Sequence, residues 1–186
     1  MQLTDVMDAV ELTRQMIDIP SVSGDEGPLA DAVEAVLRDA GFGSLPALEI
    51  LRDGDAVCAR TRLGLDQRVV LAGHLDTVPI ADNVPGRFEE RDGATVLWGR
   101  GSVDMLGGCA AALVLACEAG GAIRGGDETA LSVDVTWIFY DHEEVASHLN
   151  GLGRIQRNHP EWLAGDLALL GEPTAAHVEG GCNGTL

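Results

Sequence analysis

The chain has 186 residues, 46% of them apolar, a globular composition with enough chain for one domain and a real core but not for two. Its formal charge of −18 sets 30 acids against 12 basic residues, which argues against nucleic acid or an anionic membrane as a partner. No run of ~18 apolar residues marks a membrane-crossing helix, no basic and then apolar leader opens the chain, and four scattered cysteines (Cys58, Cys109, Cys117, Cys182) suit reduced thiols in a cytoplasmic protein.

Val6, Val10, Leu12, Met16 and Ile17 recur at near-helical spacing behind Thr4-Asp5, which predicts an amphipathic helix over residues 5–18. A turn at Ser21–Asp25 leads into a second helix, capped at Asp25 or Gly27, with Pro28 in its first turn and Gly41 at its end. Leu48–Leu51 and Ala56–Arg60 read as paired strands across Asp53-Gly54, a hairpin signal. The apolar run at 68–72 is a buried strand, 80–92 a loop, and Thr95–Trp98 a short strand. A glycine-punctuated loop, Gly99–Gly108, precedes a helix over Ala110–Ala119 that is apolar almost all round and expected to be well buried. Val133–Tyr140 is a strand rich in β-branched and aromatic residues, 150–159 a helix stopped by Pro160, and Leu167–Leu170 another buried strand. Helices alternating with strands, without a repeat, predict a three-layer α/β/α domain.

The stretch around which the chain is organised is Gly73-His74-Leu75-Asp76. A strand that stops at Gly and then offers His-x-Asp sets two polar side chains at a sheet end, where open α/β folds build their sites. The imidazole can bind a metal while the carboxylate holds its other N–H; taken alone, the pair is more often structural. Other strand and loop ends present Asp104, Glu143 with Glu144, and Glu172. Acids gathered in one crevice repel unless cations neutralise them. One histidine with several carboxylates suits Zn²⁺, Mn²⁺ or Co²⁺, and a bridging carboxylate would hold two ions ~3.5–4 Å apart, as in two-metal hydrolases. Of the adjacent Glu143 and Glu144, one can bind metal while the other acts as a base.

His74-Leu-Asp76-Thr-Val-Pro79, Gly99-Arg-Gly-Ser-Val-Asp104-Met, Glu143-Glu144 and Gly171-Glu172-Pro-Thr174 resemble, in order and spacing, the motifs of the M20 metallopeptidase family. The runs Asn150-Gly-Leu-Gly153, His159–Leu163 and Glu179–Gly184 are similar to its actinobacterial succinyl-diaminopimelate desuccinylase branch. The resemblance implies a zinc-exopeptidase-like catalytic domain with a mixed, mostly parallel sheet, of which residues 1–186 are the N-terminal part. It implies a cytoplasmic enzyme with two Zn²⁺ (Co²⁺ or Mn²⁺ as alternatives) that hydrolyses the amide of N-succinyl-LL-2,6-diaminopimelate, and sister activities in the family are acetylornithine deacetylase and dipeptidase. His74 and Glu172 would hold the first ion, Asp104 would bridge, Glu144 would hold the second, Glu143 would be the general base, and Asp76 would orient His74. The family's second metal site needs a further histidine and its lid domain mediates a homodimer. Both are expected to lie outside this stretch, leaving a monomeric fragment with one tight and one weak ion. Leu106 stands where the family has Lys, and His142 where an acid or Cys often precedes the glutamate pair. His142 is expected to support the site or face solvent rather than ligate, and His148, His159 and His177 to lie at the surface or to support the site. Arg100 is open between a substrate carboxylate and a neighbouring acid.

Overall fold

The computed structural model describes residues 2–4, 7–40, 47–127, 129–175 and 177–180. Helix α1 (Ala9–Ile17) is capped by Asp8, whose carboxylate accepts from the N–H groups of Val10 at 3.0 Å and Glu11 at 3.1 Å. The helix therefore starts later than the apolar spacing predicts, with Asp8 as its cap; Asp5 lies outside the described residues. Helix α2 spans Gly27–Ala40. Neither Asp25 nor Gly27 stands directly before it: that residue is Glu26, whose carbonyl accepts from Leu29 and Ala30. The expected stop at Gly41 lies outside the described residues.

Strands β1 (Glu49–Asp53) and β2 (Ala56–Arg60) form the expected hairpin, with Gly54 at φ 61°. Strand β3 (Arg68–His74) follows. The reading of 80–92 as loop needs correction, because β4 (Arg87–Arg91) pairs antiparallel with β5 (Ala94–Trp98). Asp92 and Gly93 both have positive φ, at 51° and 80°, the Asp-Gly hairpin turn. Four of its five residues are charged and Phe88 is itself exposed, so no apolar alternation marks the strand. Helix α3 (Leu106–Arg124), strand β6 (Asp134–Tyr140), helix α4 (Gly151–Asn158, capped by Asn150), a 3₁₀ turn (Pro160–Trp162) and strand β7 (Leu167–Leu170) complete the described chain.

The five-stranded sheet runs β1-β2-β6-β3-β7. β6, β3 and β7 are parallel, and β2 and β1 join antiparallel at one edge. One face buries Val57, Ala59, Val135, Trp137 and Phe139 under α1, α2 and α3. The other buries Ala56, Cys58, Val70, Ala72, Ile138 and Tyr140 against Ile155 of α4 and Trp162. The period-2 alternation of the strands thus feeds two cores, and the domain is the expected three-layer α/β/α sandwich.

Two burial expectations change. Helix α3 is long and apolar enough to cross a membrane by length and composition alone, but it packs as an inner helix: Leu106, Cys109, Ala110, Leu113 and Ala116 are buried, while Leu115 on the opposite side is 50% exposed. Strand β7, read as buried, leaves Leu167, Leu169 and Leu170 about half exposed. Its one described partner is β3, and among the described residues neither of its faces is covered as those of β6 are. Cys58 and Cys109 are buried and Cys117 is half-buried, all three free thiols as expected. Cys182 lies outside the described residues, as does the strand start expected at Gly184–Leu186.

Candidate metal centre

The carboxyl ends of the three parallel strands stand at one edge of the sheet, β3 ending at His74, β6 at Tyr140 before the 141–144 loop, and β7 at Leu170 before Glu172. From β3 the chain reaches β6 through α3 on one face. From β6 it reaches β7 through α4 on the other. Crossovers that part to opposite faces open a crevice at the strand ends.

His74 is 1% exposed and Asp76 is fully buried. The His74 Nδ1–H donates to the backbone carbonyl of Asp76 at 2.9 Å, with the Asp76 Oδ1 farther away at 3.5 Å. That bond assigns the proton to Nδ1 and turns Nε2 toward Asp104 Oδ1 at 3.0 Å and Glu172 Oε1 at 3.9 Å. Asp76 thus orients the ring chiefly through its main chain. Its carboxylate accepts from the Glu143 N–H at 2.9 Å, the Glu144 N–H at 3.0 Å and the Ser23 hydroxyl at 2.7 Å. Burial works against its charge, but His74 and these three donors win and hold the carboxyl down at about 2. Burial likewise opposes protonated His74, yet the nearby Asp76 carboxylate, then the Asp76 carbonyl and Glu172 beyond, raise the ring to about 9.

Two overlapping groups of donor atoms lie within 4.8 Å of one another: His74, Asp104 and Glu172, and His74, Glu143 and Glu144. Glu144 is raised by burial and then by the Asp104 charge; Glu172 is raised by burial and then, against His74, by Asp104, Glu143 and Glu144. Acids that resist ionising because they are buried, and then because other acids crowd them, mark a place where a cation would settle. The donor set, one imidazole nitrogen turned inward with carboxylates around it, fits a divalent ion of the Zn²⁺, Mn²⁺ or Co²⁺ type. All six residues singled out from the sequence, His74, Asp76, Asp104, Glu143, Glu144 and Glu172, therefore meet at this edge.

The sequence profile of peptidase family M20/M25/M40 matches residues 70–183, which span the whole cluster. The chain belongs to this family. The succinyl-diaminopimelate desuccinylase of Corynebacterium glutamicum is 50% identical over 179 residues, covering 96% of this chain and 45% of that protein. A putative succinyl-diaminopimelate desuccinylase of Mycobacterium tuberculosis is 49% identical, covering 96% and 46%. The chain thus spans about half the length of the curated relatives it matches. An M20 metallo-carboxypeptidase from Sulfolobus solfataricus shares the fold, with a TM-score of 0.63 at 17% identity over 88% of this chain and 37% of that one.

Around these family positions lie His142, which the sequence singled out, and three residues that it did not. His142 has φ 59°; its Nδ1 is 2.7 Å from Asp141 Oδ2, and its N–H donates to the buried Glu26 at 3.2 Å. Asp141 is held from the other side by two Arg154 N–H donors at 2.6 and 3.1 Å. No apolar period or motif marks Glu26, Asp141 or Arg154. The one signal was an acid just outside a helix start. His148 and His177 are exposed, and His159 is half-buried beside Asp53. Arg100 meets no acid among the described residues: it donates to the Pro79 carbonyl at 2.8 Å, and its buried Nε has no partner.

Proposed function

We propose that this chain is part of the catalytic domain of a metal-dependent amidohydrolase that cleaves N-succinyl-LL-2,6-diaminopimelate to succinate and LL-diaminopimelate. The observation that carries the reading is the convergence of an inward-facing His74 Nε2 with Asp104, Glu172, Glu143 and Glu144, in a chain 50% identical to a protein of that name. His74 and Glu172 would hold one ion, Asp104 would be shared, and Glu144 would hold a second. A bound divalent cation supplies Lewis acidity, lowering the pKa of a water and polarising the amide carbonyl. Glu143 then takes the proton of the attacking water and passes it to the leaving amine. Asp76 keeps the His74 tautomer and seats both glutamate N–H groups, so base and ligand keep their spacing. In this reading the lid and dimerisation domain lies elsewhere in the polypeptide, and the working enzyme is a cytoplasmic homodimer that uses zinc.

Hydrolysis of N-succinyl-LL-diaminopimelate with added Zn²⁺, beside N-acetylornithine and a dipeptide, tests the substrate. It is run on this chain and on a polypeptide of the relatives' full length that carries it. Preferential cleavage of the succinyl substrate by the longer protein is the expected result. Cleavage of another amide instead would leave the metal chemistry and overturn the substrate, favouring a deacetylase or dipeptidase. Zinc stoichiometry tests the remaining alternative, a metal-binding part that does not turn over alone: one tight and one weak ion are expected for this chain, and two equally tight ions would refute that.

A further inference from the structure

Two turns far apart in sequence meet beside the metal centre. Glu26 is fully buried, and its side chain does not cap the helix that follows it. One carboxylate oxygen accepts from the Gly24 N–H at 2.9 Å, and the other accepts from the His142 N–H at 3.2 Å. His142 sits at φ 59°, a left-handed conformation that a non-glycine residue keeps only where its surroundings hold it. The next two N–H groups, those of Glu143 and Glu144, land on the two oxygens of Asp76. Asp76 in turn accepts from the hydroxyl of Ser23 at 2.7 Å, and Ser23 belongs to the same turn as Glu26. That turn is docked on the segment after β3 by the Thr77 N–H to the Ser21 carbonyl at 2.9 Å and the Ser23 N–H to the Thr77 carbonyl at 3.1 Å. The hydrogen bonds close a ring from Glu26 through His142, Glu143 and Glu144 to Asp76, Ser23 and back.

We propose that Glu26, with Ser23 at the other end of the ring, is a positioning residue that sets where Glu143 and Glu144 stand, by holding the left-handed turn at His142 and the acceptor on Asp76. Glu26 itself touches no reacting atom. It acts through the backbone of the 141–144 loop, which Arg154 braces from the opposite side through Asp141. A buried carboxylate suits this task because its two oxygens accept two backbone N–H groups at once, one from each turn. The proposal rests on the reading of Glu143 as base and Glu144 as ligand.

Residue-resolved amide hydrogen exchange of the metal-free chain tests it. In Glu26→Ala, and less so in Glu26→Gln, which keeps one acceptor, the Glu143 and Glu144 amides should exchange about 10- to 100-fold faster. Neither amide bonds Glu26, so the change would have to travel round the ring, through His142 on one side or Ser23 and Asp76 on the other. The amides of β3 and β6 should keep their protection. Ser23→Ala should give the same local signature. Unchanged exchange at Glu143 and Glu144 in a folded Glu26→Ala overturns the proposal. So does a loss spread evenly through β3 and β6, the mark of an acid that merely supports the fold. Should Glu26→Ala not fold, Ser23→Ala decides by the same two criteria. A Co²⁺ titration of the unaltered chain, followed by ligand-field absorption with Glu144→Gln beside it, tests the underlying reading separately. Absence of a cobalt spectrum overturns the metal centre and with it the purpose of the ring; the exchange pattern overturns the ring alone.

Discussion

Gly108, in the first turn of α3, passes so close to the backbone before Glu172 that its substitution should reverse the usual helix rule. A Cβ added there would lie 2.5 Å from the Gly171 carbonyl oxygen and 3.1 Å from the Met105 Cε, where ordinary contact begins at 3.4 Å. The methionine end can yield, but the carbonyl belongs to a segment tied to β3 by the Gly171 N–H to the Ala72 carbonyl at 3.0 Å. Alanine gains roughly 0.8–1 kcal/mol over glycine in a helix interior, whereas forcing backbone apart in a packed core costs roughly 1–3 kcal/mol. The net expectation for Gly108→Ala is a loss of up to roughly 2 kcal/mol, or about 2–4 °C in Tm for each kcal/mol. Gly121→Ala in the same helix meets nothing within 4 Å and should gain roughly 0.5–1 kcal/mol. Urea unfolding followed by circular dichroism compares the two directly. Because Glu172 follows the displaced carbonyl, Gly108→Ala should also weaken Zn²⁺ binding by about tenfold. If Gly108→Ala stabilises the chain as much as Gly121→Ala does, the close approach of α3 to the Glu172 segment is wrong.

Asp134 accepts from the Thr61 hydroxyl and from the N–H groups of Leu63, Gly64 and Leu65, so Asp134→Asn, which turns an NH₂ against such donors, should cost roughly 1–3 kcal/mol in urea unfolding; an unchanged midpoint would refute the clamp. Glu49 is held down at about 2 by its bond to Arg60 and then by Arg62. A depressed carboxylate stabilises above its unfolded value of ~4.3 and loses that contribution as pH falls toward the folded value. Its side chain is 41% exposed, so the contribution should stay under roughly 1 kcal/mol. The stability gap between the unaltered chain and Glu49→Gln should close between about pH 5 and pH 2; a gap constant over that window would count against the pair. Zn²⁺ should raise Tm and EDTA should reverse the rise. Glu172→Gln and Asp104→Asn should blunt that rise. Glu143→Gln in the full-length protein should keep it while losing about 10²-fold or more in hydrolysis. Loss of zinc stabilisation in Glu143→Gln as complete as in Glu172→Gln would make Glu143 a ligand rather than the base.

The candidate site was legible because each of its residues follows a strand or a glycine-rich turn, and apolar runs of that kind are set by local pattern. His74 after the β3 run, Glu143 after the β6 run and Glu172 after the β7 run could be placed without knowing which strands were neighbours. The β4 strand was not legible: four of its five residues are charged and the fifth, Phe88, is itself exposed, so burial leaves no imprint, and the Asp92-Gly93 turn was the sole local mark. The half-exposed Leu167, Leu169 and Leu170 look like core residues in sequence, since an apolar run does not tell whether a layer covers it.

What the chain alone determined is therefore the chemistry on offer, one imidazole and a set of carboxylates at strand ends, and the α/β/α layering that period-2 and period-3.6 patterns impose. Which atoms of Asp76 do which task was decided by tertiary structure. A carbonyl reaches His74, while the carboxylate collects the Glu143, Glu144 and Ser23 donors from segments 67, 68 and 53 residues away. The involvement of Glu26 was decided there too, its partner His142 lying 116 residues along the chain. Hydrogen bonds of such separation leave no periodicity in the sequence, because they depend on where the sheet sets down its strand ends and not on what stands nearby along the chain.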